Sequence, residues 1–327
     1  MKANTPIAPL GVVQGRMRRP NRSGLILAAV AAGAATSLIT ASCRKTPPPA
    51  DAAYRKEIEQ WRAQRLTSLT REDGWLSLVG LYWLRPGENR FGSDPGSDVV
   101  LRGHGVPPLA GTLELRPDGS VLAHPRADAG VTLAGRPVPD RPLRSDHAGK
   151  PDVLAVGSVR FYLIDRAGKL AVRVKDIESE ARAHFKGLSW FPIDPAYRVD
   201  GVLESFPTPH EATVASEQGP AQHMLVPGIV RFTLAGHALA LEPFVSSPTD
   251  NDFFFVFRDA TTGHQTYGAG RFLDAVAPLP GSSRVVLDFN QAYNPPCAFT
   301  PYATCPLPPR QNDLPIPIKA GERFEGH

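Results

Sequence analysis

The chain is expected to be mainly β, and three observations carry that expectation. Proline supplies 34 of the 327 residues, about twice the ordinary usage of roughly 5%. Such usage interrupts long helices and favours short elements joined by turns. From Gly74 onward, short runs of alternating apolar residues recur between Gly, Pro and Asp clusters, the pattern of half-buried strands. Only residues 54–73 have helical spacing: Tyr54, Ile58, Trp61, Leu66 and Leu69 fall on one stripe among charged residues. The stripe predicts one short amphipathic helix packed against the rest of the chain.

The first 42 residues carry Lys2, Arg16, Arg18, Arg19 and Arg22 and no acid, followed by the apolar run "GLILAAVAAGAATSLITA" (24–41). A cationic lead and an apolar run predict an export signal over 1–42. "LITASC" resembles a lipoprotein signal-peptidase box, which makes Cys43 the expected lipidation site and the membrane a partner through that anchor. A retained single N-terminal helix is the alternative. Both place the protein outside the cytoplasm, on the periplasmic side of the envelope. Residues 43–53 follow as a proline-rich tether.

The leader also explains the net charge of +4. Without its five cations, 31 Lys and Arg face 32 Asp and Glu, a formal charge of −1. No basic stripe with interleaved aromatics remains, so nucleic acid is not expected as a partner.

Residues 74–176 form the first β unit. "WLSLVGLYWL" (75–84) alternates and ends at the turn "RPGEN". Further strands are expected at 97–101, 111–116, 119–123, 129–134, 152–157, 159–165 and 169–174. Hairpin turns at 116–120 and 165–169 join pairs of them, and the whole reads as an antiparallel sandwich. The run "LRPGENRFGSDPGSDVVL" with "AGTLEL" and "VTLAGRPV" resembles a forkhead-associated fold. That family recognises phosphothreonine, but Gly92 is followed by Ser93, and Pro107, Ala110 and Ala134–Gly135 stand at the other motif positions. The phosphate-reading groups are missing, so phosphopeptide binding is not expected.

Residues 177–327 form the second β unit, with strands expected near 196–206, 210–216, 221–226, 228–235, 237–245, 252–259, 265–273 and 283–289. They suit an antiparallel barrel or a sandwich equally. "FFFVFRDATTGHQTYGAGRFL" (253–273) reads as a hairpin turning at "DATTGH".

No GxSxG, HExxH, P-loop or helix-opening GxGxxG occurs, so no familiar enzyme motif and no cofactor is implied. The polar residues gather late, in "FRDATTGHQTYGAGRFL", "VVLDFNQAYNPPCAF" and "CPLPPRQNDLPIPIKAGE". These stretches resemble a bacterial and archaeal family catalogued as a domain of unknown function, number 1684. The matching positions are Asp259, Thr261, Gly263, Tyr267, Gly270, Arg271, Asp288, Asn290, Tyr293, Asn294, Pro295, Cys297, Cys305, Pro306 and Asn312. The resemblance extends from the amphipathic helix onward and implies membership without an activity.

Within that cluster an Arg271–Asp288 pair is expected if their strands are neighbours, since a guanidinium fork fits a carboxylate. Such a pair, with Asn290 and Asn294, could simply satisfy loop backbone beneath a proline-rich flap. Alternatively Arg271, Asp288, Asn290, Tyr293 and Asn294 line a pocket for a small anionic or sugar ligand. A hydrolase would instead use Asp288 as base and Arg271 as anion stabiliser, with His264 as a further catalytic candidate.

Cys297 and Cys305 could bind metal or act as a catalytic thiol only if folding brought His264 to them. A disulfide is the favoured reading, because export leaves an even pair once Cys43 is assigned. On the chain-entropy model it would contribute roughly 2–3 kcal/mol. No metal site is expected. The expected protein is thus an exported, lipid-anchored, non-catalytic binding protein, with a hydrolase or a purely structural envelope factor as alternatives.

Overall fold

The structure, a computed structural model, describes residues 49–325. The leader, Cys43 and the first part of the tether lie outside the described residues. Helix α1 spans Pro49–Thr70, so the helix begins within the expected tether. Proline is tolerated at a helix start, where its missing N–H has no intrahelical partner. Asp51 in the first turn complements the helix dipole. Among the described residues no helix is long and apolar enough to cross a membrane.

The first β unit has ten strands, β1 (Leu78–Trp83), β2 (Gly87–Gly92), β3 (Val99–Val100), β4 (Gly111–Leu115), β5 (Val121–Pro125), β6 (Thr132–Leu133), β7 (Arg136–Pro137), β8 (Leu154–Val156), β9 (Val159–Arg166) and β10 (Lys169–Asp176). They form a six-stranded sheet ordered β1-β10-β9-β8-β6-β7 and a four-stranded sheet ordered β3-β2-β4-β5. All neighbours are antiparallel except the short β2–β3 pair. Phe91, Leu101, Leu113 and Val121 from the smaller sheet's side meet Leu154, Phe161, Leu163 and Val172 from the larger in one core. Alternation on the inner faces produces this two-sheet sandwich.

Strand β2 replaces part of the expected "RPGEN" turn. Its sequence "GENRFG" hides the strand because its inward position is a polar residue, Asn89, which is 1% exposed. The Asn89 amide donates to the carbonyls of Arg85, Gly87 and Leu113, and its oxygen accepts the Arg85 N–H at 2.9 Å. A buried amide so satisfied stands in for an apolar side chain.

A short helix α2 (Glu180–Ala183), capped by the Ser179 hydroxyl, leads to the second unit. Its strands are β11 (Arg198–Val214), β12 (Gln222–Leu234), β13 (His237–Leu241), β14 (Asp252–Phe257), β15 (Arg271–Val276) and β16 (Arg284–Asp288). A four-stranded sheet runs β13-β12-β11-β16, and β14-β15 form a separate two-stranded sheet. The strands do not close into a barrel. Two pairs of expected strands merge: 196–206 with 210–216 into β11, and 221–226 with 228–235 into β12. Pro207 and Pro209, which lack donors, fall within the register irregularity between Ser205 and His210. The expected 253–273 hairpin exists as β14 paired with β15. Its connection is a long irregular segment, 258–270, so β15 starts at Arg271 rather than near 265.

Phe232, Leu241, Phe255, Phe257, Leu273, Leu287 and Phe289 build the core of this unit. A third core lies at the junction of the halves. There Trp61 of α1 and Leu78 of β1 pack with Val226, Phe244, Phe272, Tyr293 and Cys305. Burial at this junction makes helix and both β units mutually supporting.

Candidate functional site

Arg271 opens β15 and is fully buried. Its guanidinium pairs with Asp259, not with Asp288: Nη2 donates to Asp259 Oδ2 at 2.8 Å, and both side chains are enclosed. Nη2 also donates to the Ile318 carbonyl, and Nη1 to those of Ala320 and Glu322. Asp259 Oδ1 in turn accepts from the Thr261 N–H, the Thr261 hydroxyl and the Ile318 N–H. The pair therefore fastens the irregular C-terminal segment 318–322 onto β15. Burial lowers the Arg271 pKa from its ordinary value, and Asp259 opposes that shift.

Asp288 ends β16, directly opposite Arg198 in the β11–β16 pair. That register decides its cation: Arg198 Nη1 lies 3.8 Å from Asp288 Oδ2. The expected Arg271–Asp288 pair is thus corrected on both sides. Asp288 Oδ1 accepts the Tyr54 hydroxyl of α1 at 2.8 Å and the Asn290 N–H at 3.2 Å. Oδ2 is covered and has no hydrogen-bond partner. Desolvation holds the Asp288 pKa above the usual carboxylate value, against the lowering effect of Tyr54, Asn290 and Arg198. The Tyr54 hydroxyl is itself pushed far above its ordinary pKa by burial and by Asp288.

Asn290 is fully buried. Its amide donates to Tyr54 Oη at 2.9 Å and to the Asp194 carbonyl at 2.8 Å, and its oxygen accepts the Asp194 N–H at 3.0 Å. Tyr293 donates to Asp274 Oδ2 at 3.0 Å. Its ring lies under the Arg65 guanidinium, 4.7 Å from the ring centre. The Asn294 amide donates to the Arg323 carbonyl at 2.9 Å. Asn312 joins the end of β13 to β14, accepting the Glu242 N–H and donating to the Glu242 and Val256 carbonyls.

Sequence reasoning missed Arg65 and Glu322. Glu322 is fully buried, accepts Arg65 Nε at 2.7 Å and accepts the Asn294 N–H at 2.8 Å. Arg65 also donates to the Asn294 carbonyl. The signal was present on the helix: Ile58, Trp61, Arg65 and Leu69 are spaced as one face, with a cation in an apolar stripe. Leu66, assigned to that stripe, is 39% exposed, because Arg65 takes the inward position. Glu322 had no such signal, since it stands in a segment without periodicity.

His264 is exposed in the 261–266 turn, where its N–H donates to the Thr261 carbonyl. No side-chain hydrogen bond ties it to Asp288 or to either cysteine. Cys297 and Cys305 are free thiols in this structure, the first half-buried and the second buried. The Cys297 N–H donates to Cys305 Sγ at 3.2 Å. Among the described residues no three His, Cys, Asp or Glu side chains converge as a metal-ligand set.

Residues 183–323 match the family model described as "Protein of unknown function (DUF1684)". This segment belongs to that family. The DUF1684 match begins after the first β unit, so it is shorter than the expected resemblance from the helix onward. It gives no counterpart to the forkhead-associated resemblance of residues 74–176. The loop N–H groups near Ser93 are also used internally, by the carbonyls of Pro107 and Pro108. A solution NMR structure of an uncharacterized protein from Haloarcula marismortui is 35% identical over 43% of this chain and 78% of its own, with a TM-score of 0.38. No curated protein matches the chain.

The DUF1684 motif residues therefore meet each other, the helix and the C-terminal segment. A concave volume of about 870 Å³ lies elsewhere, between the end of the first sandwich and the β11–β12 turn. Trp83, Leu115, Leu170 and Pro220 contribute its apolar walls, Arg116 and Lys169 its cations and Asp165 a carboxylate, with Arg116 also paired to Glu114 at 3.2 Å. Gly219 packs closely against the Trp83 indole: a Cβ there would come 2.5 Å from the ring, and its φ is +91°. A second, shallower cavity of about 580 Å³ lies over β11, β12 and β13, beside Val202 and Arg231. Neither cavity includes the polar cluster.

Proposed function

We propose that this is an exported, lipid-anchored envelope protein that binds a small ligand without transforming it, in the cleft beneath Trp83. The export and anchoring rest on the cationic leader and the "LITASC" box. The remaining two cysteines are proposed to pair as a disulfide in that compartment. One observation carries the binding reading: a concave volume of about 870 Å³ lies at the junction cleft, whereas the side chains of the polar cluster mostly bond one another and nearby backbone. Its size falls within the roughly 300–1,000 Å³ of small-molecule pockets. An indole face suits a sugar ring or other apolar surface, and Arg116 with Lys169 suits an anion. The ligand class is thus a small anionic sugar or similarly amphipathic anion.

A structural envelope factor is the second reading, favoured by the internal hydrogen bonds of both Arg271 Nη atoms, of Asn290 and of Asn312. The hydrolase reading has less support, because the one free oxygen of Asp288 is covered. A thermal-shift screen of anionic sugars on the full chain tests the proposal. Trp83→Ala should weaken any binder found by about tenfold, the worth of one good aromatic contact. A binder indifferent to Trp83→Ala but lost in Asp288→Asn would move the site back to the polar cluster.

A further inference from the structure

The segment from Cys297 to Cys305 stands at the junction of the two halves. The Thr300 hydroxyl donates to the Leu78 carbonyl of β1 at 3.0 Å. Thr304 Oγ1 faces two arginines of the first unit, Arg166 at 3.3 Å and Arg173 at 3.4 Å. From the second unit, Gln222 donates to the Thr304 carbonyl, and the Glu217 N–H donates to the Cys305 carbonyl.

The two thiols differ in access. Cys297 is partly exposed and Cys305 is 4% exposed. The Cys305 sulfur already rests against the Cys297 backbone at 3.2 Å. Arg173, 3% exposed, makes no ion pair among the described residues and its Nε no hydrogen bond; its guanidinium lies 5.2 Å from the Trp75 ring centre, and its Nη2 reaches Thr304, the residue before Cys305. Burial raises the Cys305 pKa well above that of a free thiol, with Cys297 adding to the rise. The Cys297 N–H and the charge of Arg173 oppose it. A buried cation lacking its own anion favours a thiolate beside it.

We propose that Cys297 and Cys305 form a thiol–disulfide exchange site in which Cys297 receives the incoming disulfide and Cys305 resolves it. This rests on the paired-cysteine reading above and adds the order of events and the role of Arg173. The oxidant is a disulfide, RSSR, of a small thiol or of a protein. Cys297 loses its proton to solvent and attacks one sulfur of RSSR. The RS–SR bond breaks, one thiolate leaves and a Cys297–SR bond forms. Cys305 then loses its proton and attacks Cys297 Sγ; the bond to SR breaks, a second thiolate leaves and Cys297–Cys305 forms. The two cysteines lose two electrons and RSSR gains both. Arg173 is a positioning residue that stabilises the Cys305 thiolate in the second step.

Full chain carrying Cys43→Ser, treated with oxidised glutathione and followed by intact mass and free-thiol titration, tests this. Cys305→Ser should accumulate a glutathione adduct on Cys297. Cys297→Ser should react at least about tenfold more slowly, since its sole thiol is buried. With both cysteines present, the adduct should give way to a protein lacking free thiols. Arg173→Met should slow that closure by about tenfold through a smaller thiolate fraction, while leaving the Cys305→Ser adduct rate unchanged. Arg173→Lys should restore it. Closure with equally fast adduct formation on Cys305 would overturn the assigned order while leaving the pairing intact. A persistent Cys297 adduct beside a free Cys305 would overturn the pairing itself.

Discussion

Replacing Arg271 by Met tests whether the enclosed Arg271–Asp259 pair holds the fold together. The guanidinium is enclosed and donates to Asp259 and to three carbonyls of residues 318–322. Methionine keeps much of the packing volume but leaves Asp259 Oδ2 and those carbonyls without their donor. Removing one partner of a buried ion pair costs about 3–5 kcal/mol, because the other charge stays buried and uncompensated. Exposed pairs of similar length are worth about 0–1 kcal/mol. Arg284–Asp200, at 2.7 Å and more than half exposed on both sides, is the internal control. Urea denaturation followed by tryptophan fluorescence is a suitable assay, since Trp190 bridges to Glu322 near the clasp. Asp259→Asn combined with Arg271→Met should cost less than the summed single losses, with a coupling of about 1–3 kcal/mol. A loss below about 1 kcal/mol in Arg271→Met would refute a structural clasp and return Arg271 to consideration as a ligand contact.

Tyr54→Phe should cost about 1.5–3 kcal/mol, the range for hydrogen bonds to charged groups, and should raise hydrogen exchange throughout α1. Unchanged exchange would mean that the Asp288 bond does not hold the helix. Acid titration should separate two carboxylates by sign. Asp288 has a raised folded pKa, so its contribution favours the native state at low pH and is lost as pH rises through that pKa. Relative to Asp288→Asn, wild type should therefore gain stability on acidification, levelling off below about pH 4. Asp152, held well below the usual range by Arg141 and Arg144, behaves oppositely. Its stabilisation is present above about pH 4 and is lost as pH falls through the lowered pKa, so Asp152→Asn should destabilise at neutral pH and not in strong acid. Gly321→Ala should cost at least about 2 kcal/mol by urea denaturation, because φ is +79° and the new Cβ would come 2.3 Å from the Ala292 carbonyl.

The longer strands of the first unit were legible by apolar runs between turn residues, whereas the two-residue, exposed β7 was too short to carry any such signal. Strand β2 was not legible either, because Asn89 supplies by hydrogen bonding what alternation supplies by burial. The polar cluster was legible as a set, but its pairing was not. Asp288 is paired by strand register with Arg198, whereas Arg271 and Asp259, 12 positions apart, meet across the irregular 258–270 connection. Local composition cannot express such a choice. Arg65 could have been found by spacing along α1; Glu322 could not.

Helix α1 is the first described element to be synthesised, and its polar anchors are among the last. Tyr54 reaches 234 residues ahead to Asp288, and Arg65 reaches 257 residues ahead to Glu322. Until nearly the whole chain has emerged, the helix has no partners for these groups. Contacts so distant in sequence close late and slowly. A product cut short before residue 288 would therefore lack Asp288, Asn294 and Glu322 together, leaving Tyr54 and Arg65 without these anchors and the helix more open to proteases.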